Sequence, residues 1–171
     1  MFTMIIKTKN IAFAIAFFFF ISGYMKGQFT QPAPTSHAQW KLSSKKINDC
    51  EYDLVFTVTL EKGWHTFSIN KVKDADLEVF PTAISFKTDN DFTLVGNLTE
   101  TKPTPEFDKT INKTVYLHYG NAVFTQRVKL KISGNIKISG RYEYQVCNEV
   151  CEKPPYKKFD FDLKGSATCI K

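Results

Sequence analysis

The chain has 171 residues, of which 43% are apolar and 15% aromatic, enough to fill the core of one domain of ordinary size and to exclude a largely disordered protein. The formal net charge is +6, but Lys7, Lys9 and Lys26 lie in the first 27 residues, which hold no acid, so the remainder carries +3. That remainder mixes both signs of charge without a long Lys/Arg block, which argues against a nucleic-acid-binding surface.

The first 27 residues have the pattern of a signal peptide. Lys7 and Lys9 precede an uninterrupted apolar run over residues 11–22, which is shorter than the roughly 20 residues that a membrane span needs. Gly23 and Gly27 offer small residues for cleavage, although a large residue stands two positions before each. We expect an exported protein that loses residues 1–27 and has no stable membrane span in its mature form, with an uncleaved anchor as the alternative.

The organisation changes after this leader. Residues 28–36 combine Pro, Ser, Thr and Gln without periodicity, which is the composition of a linker. From residue 37 the chain becomes a succession of predicted strands, so we expect one domain over residues 37–171. The stretch "KLSSKK" at residues 41–46 indicates a solvated strand face.

Alternation of apolar and polar residues marks the strands. In "EYDLVFTVTLE" the residues on one face are Tyr52, Leu54, Phe56, Val58 and Leu60. Similar runs include Phe86, Leu94, residues 115–119, residues 122–132, residues 136–146 and residues 157–163. Gly120 and Asn121 form a two-residue turn of the kind that closes hairpins. With eight or nine short strands and no helical apolar stripe, the sequence predicts an all-β, antiparallel two-sheet sandwich.

Two longer stretches, residues 68–83 and 99–113, show no such alternation and are predicted to be loops. Loops of this length are more often functional, or packed as lids, than idle.

Four cysteines remain for an exported domain, where thiols are oxidised unless they are kept reduced. Three pairings into two disulfides are possible. If Cys147 pairs with Cys151, then Cys50 and Cys169 remain, and their bond would tie the start of an early strand to the C-terminus.

The stretch "CNEVC" at residues 147–151 can form a disulfide only if the chain reverses within it. Residues four apart in a continuous strand lie about 13 Å apart, whereas a disulfide needs Cα atoms closer than about 7 Å. Asn148 tolerates turn conformations, and Pro154 and Pro155 prevent a helix, so a tight loop between two strands is predicted. Such a short, exposed loop favours a labile disulfide.

Spacing alone leaves three interpretations of this pair open. It can be a redox dithiol that exchanges through a mixed disulfide, a soft-metal clip for Cu(I) or zinc, or a structural staple of a hairpin. A zinc site normally needs four ligands, and His37, His65 and His118 stand at no ligand spacing.

Three motifs together resemble a known family, the N-terminal periplasmic domain of the thiol:disulfide interchange protein DsbD, also called the disulfide-bond-corrector domain. They are "LEKGWHTFSIN" at residues 60–70, "NAVFTQRVKL" at residues 121–130 and, the most specific, "YEYQVCNEVCEKPP" at residues 142–155. The resemblance extends from about Trp40 to Leu163.

This resemblance implies an immunoglobulin-like β-sandwich whose disulfide accepts electrons from a membrane-embedded reductant and passes them to periplasmic proteins. Carried over to this chain, Cys147 and Cys151 are the catalytic redox pair. The family shields its disulfide with a cap loop that contains an aromatic residue, and "PEFD" at residues 105–108 makes Phe107 a candidate cap, with ordinary loop packing as the alternative.

Three further aromatic residues are candidates for the wall of the site. They are Trp64, Phe67 and Tyr144, each of which lies in a family motif. Aromatic residues in such strands usually pack in the core, which remains the alternative for all three.

The spacing of the cysteines departs from the family pattern. Relatives place four or five residues between them, whereas this chain places three. Glu152 then stands where a relative has its second cysteine, and a shift of one residue on a strand turns the side chain to the other face. Pairing of Cys151 with Cys147 is therefore the decisive structural question.

We expect a stand-alone domain that exchanges thiols with exported thioredoxin-like or disulfide-bonded proteins in the periplasm of a Gram-negative bacterium. Its electron donor is then a separate chain, no cofactor is needed beyond the dithiol, and as an enzyme it is a protein-disulfide reductase. Cys50 and Cys169 lie outside the family pattern and are candidates for a structural disulfide. The alternative is a non-enzymatic binding module of the same fold, with structural or Cu(I)-binding cysteines.

Overall fold

The structure is a computed structural model that describes residues 37–70 and 79–170. The predicted signal peptide and linker, residues 1–36, lie outside the described residues, as do residues 71–78 of the first predicted loop.

Strands account for most of the described chain. Within residues 37–70 and 79–170 there are twelve, namely β1 (Ala38–Lys46), β2 (Glu51–Leu60), β3 (His65–Phe67), β4 (Ala83–Phe86), β5 (Phe92–Glu100), β6 (Thr104–Asp108), β7 (Lys113–Tyr119), β8 (Asn121–Leu130), β9 (Gly134–Glu143), β10 (Val146–Cys147), β11 (Cys151–Glu152) and β12 (Lys157–Gly165). A single turn of 3-10 helix, Ala167–Cys169, follows β12, and Ser166 caps it by accepting a hydrogen bond from the Thr168 amide. This is more strands than predicted, because several are too short to show an alternating pattern.

The strands form three sheets in which every pairing is antiparallel. The first sheet has the order β1-β2-β8-β5, the second β11-β10-β3-β7-β6 and the third β12-β9-β4. β9 leads within two residues into β10, so the chain passes directly from the third sheet to the second.

Aromatic packing joins these sheets around one main core. Phe56 of β2 is fully buried and meets Phe159 and Phe161 of β12 edge-on, at centroid distances of 5.0 and 5.5 Å. Phe124 of β8 meets His118 of β7 edge-on at 5.5 Å. Full burial of a side chain of this size contributes about 1.5–3 kcal/mol. The first sheet therefore packs on the other two, and the predicted all-β, immunoglobulin-like antiparallel β-sandwich is confirmed.

The alternation predicted for β2 is also confirmed, since its five predicted inward residues are all buried. On β1, the predicted solvated face is exposed while Trp40 and Leu42 pack against the core.

The hairpin predicted at Gly120 and Asn121 is wrong. β7 belongs to the second sheet and β8 to the first, so the two strands diverge after the turn. Gly120 has a φ of 65°, which a residue with a Cβ adopts only at a cost, and its carbonyl accepts a hydrogen bond from the Leu60 amide at 2.6 Å. A Gly-Asn pair indicates a sharp change of direction, but it does not determine which strands pair afterwards.

The loop predicted over residues 99–113 is also wrong for most of its length. β5 continues to Glu100, and β6 pairs with β7 before a turn in which Asp108 accepts a hydrogen bond from the Thr110 amide at 2.8 Å. β6 lies at the edge of its sheet and contains Pro105. Edge strands tolerate proline and polar side chains, so the usual apolar signal is missing there.

Candidate functional site

Cys147 and Cys151 form a disulfide between β10 and β11. They are direct partners in the register of the two strands, with their Cα atoms 4.1 Å apart. Residues 148–150 reverse the chain, since the Asn148 amide donates to the Val150 carbonyl at 3.1 Å and the Val150 amide donates to Asn148 Oδ1 at 3.0 Å. A three-residue loop is thus long enough, because partners in register point to the same face.

The two sulfurs of this disulfide lie in different surroundings. Cys147 is only 2% exposed and belongs to a small apolar cluster with Phe67, Val115 and Leu117. Cys151 is exposed. Cys151 is therefore accessible from solvent, whereas Cys147 is enclosed by protein.

His65 of β3 lies directly opposite Cys147 in the register of β3 and β10. On its other side it is paired with Tyr119 of β7, and the two rings lie 5.5 Å apart. Burial lowers the pKa of the His65 imidazole, and the charge of Glu106 opposes this shift. His65 is therefore held between the disulfide and an aromatic neighbour.

Tyr119 is tied to the edge strand β6. Its hydroxyl donates to Glu106 Oε1 at 2.7 Å. Burial, together with this hydrogen bond, raises the pKa of Tyr119 to about 12, so the hydroxyl keeps its proton at any pH near neutral.

A cavity of about 190 Å³ lies beside His65. Its lining includes His65 and Phe67 of β3 together with Glu106, Phe107 and Asp108 of β6. The volume is several times the roughly 30 Å³ that one water molecule occupies in the liquid.

Buried hydrogen bonds hold β3 against the segment that carries Cys147. The Thr66 hydroxyl, which is fully buried, donates to the Gln145 carbonyl at 2.7 Å. The Gln145 side chain in turn accepts from the Phe80 amide at 3.1 Å, and the Thr82 hydroxyl donates to the Phe67 carbonyl at 2.6 Å. These bonds hold β10, the buried half of the β10–β11 hairpin, in place.

His37 supports the exposed half of the hairpin. Its ring stacks on Trp64 at a centroid distance of 3.6 Å, its Nδ1 lies 2.6 Å from Glu61 Oε2, and its Nε2 lies 3.6 Å from Glu152 Oε1. Glu152 is the register partner of Val146, and its carboxylate contacts His37, the residue that precedes β1.

The four aromatic residues predicted as cap or wall of the site lie in different parts of the fold. Phe67 lies in the same cluster as Cys147, and Trp64 is buried under His37. Tyr144 lies in the main core, where its ring is 5.2 Å from that of Trp40. Phe107 is 61% exposed on β6, which β7 and β3 separate from β10, about 14 Å of sheet at the usual strand spacing.

Sequence reasoning missed His65, Tyr119 and Glu106 as neighbours of the site. The alternation in β7 predicts that Tyr119 shares a face with Leu117 and Val115, but nothing local relates either strand to the cysteines. Only the register of β10 with β3 and of β3 with β7 brings these residues together.

Cys50 and Cys169 form the second disulfide, with Cα atoms 5.3 Å apart. It joins the turn before β2 to the C-terminal 3-10 turn. Cys169 is 5% exposed, so this bond is better protected than the one at the hairpin tip.

Other kinds of site find no support in the described parts of the chain. Within residues 37–70 and 79–170, no three His, Cys, Asp or Glu side chains are grouped to hold a metal ion. In the same ranges there is no helix of the length and apolar character that crossing a membrane requires.

The solved structures to which the chain is similar include two bacterial periplasmic domains. The N-terminal domain of DsbD from Neisseria meningitidis, in the reduced form, is 13% identical, with 80% of this chain and 91% of that chain covered and a TM-score of 0.47. The N-terminal periplasmic domain of ScsB from Proteus mirabilis is 18% identical, with 78% of this chain and a TM-score of 0.49. The aligned part spans about half (49%) of the ScsB chain.

Comparison with protein families gives a match over residues 29–163 to the family described as thiol:disulfide interchange protein DsbD, N-terminal. No curated protein sequence matches significantly. The family match covers most of the chain and includes both cysteines of the hairpin. The protein therefore belongs to the family of DsbD N-terminal domains.

Proposed function

We propose that this domain exchanges thiols and disulfides with exported thioredoxin-like or disulfide-bonded proteins through Cys147 and Cys151. The observation that carries the proposal is the unequal exposure of two bonded cysteines at the ends of a three-residue loop. Membership of an interchange family adds support. A purely structural staple does not require one exposed cysteine.

The exchange begins at Cys151. The thiolate of a reduced partner attacks Cys151 Sγ, the bond to Cys147 breaks, and Cys147 leaves with the electron pair as a thiolate. A second thiol of the partner then attacks the partner's own sulfur in the mixed disulfide and releases Cys151 as a thiolate. The domain is then in its dithiol form, and the partner carries the disulfide. The reverse sequence reduces a disulfide of another exported protein, and neither direction needs a cofactor.

The surroundings of the site suggest roles for the aromatic candidates. Phe67 is the proposed wall residue, because it packs in the cluster of Cys147. Phe107 contributes to the cavity beside His65, and its exposure suits contact with a partner. Trp64 and Tyr144 act by supporting the strands around the hairpin.

The proposed setting is the periplasm of a Gram-negative bacterium, with the electron donor on a separate chain. Residues 1–27 act as the signal peptide, residues 28–36 as the linker and residues 37–171 as the domain. The leader pattern and the family support this arrangement. Intact mass of the exported protein tests it by locating the N-terminus.

Single cysteine variants test the proposed route of attack. We expect Cys147→Ser, which retains the exposed Cys151, to accumulate a mixed disulfide with a thioredoxin-like partner that lacks its own resolving cysteine and whose remaining cysteine carries an aromatic thiol in disulfide linkage. The Cys151 thiolate attacks the partner's sulfur, and the aromatic thiol leaves with the electron pair of the broken bond. Cys151→Ser should form little of this adduct, because its remaining thiol is buried. Non-reducing gels and intact mass measure the adduct.

Two controls complete this experiment. The Cys50→Ser/Cys169→Ser variant should exchange like the wild type, and the Cys147→Ser/Cys151→Ser variant should not exchange. Unchanged exchange in the latter would rule out the proposed function and leave a non-enzymatic binding module.

A further inference from the structure

The burial of Cys147 creates a problem for the proton of its thiol. When the dithiol form attacks a disulfide through Cys151, the reaction ends with attack by Cys147, which must first lose its proton. At 2% exposure this sulfur has little direct access to solvent.

His65 is the ionisable group placed opposite this sulfur. Direct partners on adjacent antiparallel strands have Cβ atoms about 4.5–5.5 Å apart and share one face of the sheet. His65 and Cys147 are such partners, and Phe67, two residues further along the same face, packs in the cluster of Cys147.

The cavity beside His65 provides a path for a proton from the imidazole to solvent. His65 lines it together with the carboxylates Glu106 and Asp108, and its volume of about 190 Å³ has room for several water molecules. Unlike Cys147, His65 is partly exposed. His65 therefore lies between the buried Cys147 and a cavity whose walls are mostly apolar but include two carboxylates.

We propose that His65 carries the proton of Cys147 between that buried sulfur and solvent during thiol-disulfide exchange. In the resolving step the Sγ–H bond of Cys147 breaks and the proton moves to a ring nitrogen of His65. The electron pair of Cys147 forms the bond to Cys151 Sγ, and the partner's sulfur leaves Cys151 as a thiolate with the pair of the broken bond. The domain loses two electrons to the partner, and the imidazolium returns its proton to water. The inference rests on the proposed function.

The groups that face His65 are compatible with this role. They are Cys147 from β10, Tyr119 from β7, and Glu106 and Asp108 across the cavity from β6. Tyr119 stays protonated near neutral pH because its pKa is raised, so it does not compete for the proton. Burial lowers the pKa of His65 from the ordinary 6.5, which keeps the ring neutral and able to accept a proton at pH 7.

The test uses an aromatic disulfide whose released thiol is coloured. The full chain is reduced at the hairpin with limited reductant, and intact mass verifies that Cys50 and Cys169 remain bonded. One equivalent of coloured thiol is released when the mixed disulfide forms on Cys151, and a second when Cys147 displaces it. The rate of the second release is measured against pH.

We expect the wild-type rate of the second release to level off at a pH well below the ordinary thiol pKa of about 8.5. In His65→Gln it should be about 10-fold or more slower at pH 7 and should keep rising with pH up to the thiol range. His118→Gln is the matched control, since His118 contacts Glu100 of β5 and is the register partner of Thr66 and not of His65, and its profile should follow the wild type.

Added imidazole should restore part of the rate in His65→Ala, which a merely structural loss would not allow. Equal pH profiles for the wild type and His65→Gln would overturn the proposal. A wild-type rate that rises without levelling off up to the thiol range would also overturn it, even if no variant folds. A wild-type chain that releases only one equivalent would instead overturn the proposed function.

Discussion

At the scale of single residues, the properties of the site come from polar and apolar groups that no local pattern identifies. Thr66 is fully buried within an apolar core, yet its hydroxyl donates to the Gln145 carbonyl, two residues before Cys147. A buried carbonyl without a partner is costly, so this bond adds to the pairing of β3 with β10. The sequence identifies Cys147 and Cys151 as the reactive candidates, but their different exposures depend on neighbours such as Phe67, which are distant in the sequence.

Replacing Thr66 by Val keeps the shape of the side chain and removes the hydroxyl. We expect the free energy of unfolding to fall by about 1–2 kcal/mol, because the Gln145 carbonyl is left buried without this donor. Urea denaturation measures the change. Thr59→Val, at an exposed position on β2, should be nearly neutral. Equal effects at the two positions would show that the buried hydrogen bond contributes little.

At the scale of strands, the prediction locates most of the long strands correctly but does not identify which strands pair with each other. The alternation in β2, β8 and β12 predicts these strands well, because each has one face in the core. The sequence does not predict β6, because this exposed edge strand lacks the alternation of apolar and polar residues. The sequence predicts the turn at Gly120, but β8 pairs with β2 and β5 instead of β7. These pairings depend on side chains from other parts of the chain.

In the first sheet, an ion pair links two residues that are direct partners on β2 and β8. Asp53 of β2 lies opposite Arg127 of β8, whose Nε donates to Asp53 Oδ1 at 2.8 Å and whose second contact, from Nη2 to Oδ2, is 3.2 Å. Hydrogen bonding from Arg127 lowers the pKa of Asp53 from its ordinary value of 3.8. The ionised form is therefore favoured more strongly in the folded state than in the unfolded chain.

Asp53→Asn should lower stability by about 0.5–1 kcal/mol at pH 7, a small effect because solvent screens the pair. A depressed folded-state pKa gives stability that is present above pH 3.8 and is lost as pH falls through the folded-state value. The difference between wild type and variant should thus disappear in acid, which denaturation at a series of pH values detects. Asp162→Asn, which breaks a more exposed contact to Lys137, should have a smaller effect. A difference that persists below the folded-state pKa would contradict this account.

At the scale of the whole molecule, the two disulfides close loops of very different length. Cys50 and Cys169 are 119 positions apart, and their bond closes almost the entire described domain. Cys147 and Cys151 are four positions apart, so their bond closes only the hairpin tip. In the chain-entropy account, a disulfide stabilises more when it closes a longer loop in the unfolded chain.

Removing each disulfide with paired Ser substitutions should separate these roles. We expect Cys50→Ser/Cys169→Ser to lose about 4–5 kcal/mol of stability and Cys147→Ser/Cys151→Ser only about 2 kcal/mol. Thermal or urea unfolding of the oxidised proteins gives both values, and exchange activity should show the opposite order of damage. A larger loss of stability at the hairpin would mean that its disulfide is a structural staple.

The sequence by itself determined the β class, the positions of the long strands, the short cysteine loop and the family. These features are local, since alternation follows from the two-residue period of a strand and the loop is a continuous motif. Tertiary structure alone decided that Cys151 pairs with Cys147 despite the short spacing, that only one of the two cysteines is exposed, and that His65 lies opposite the buried one. Register and burial arise from contacts between segments as far apart as residues 65 and 147, and no short stretch of sequence contains that information.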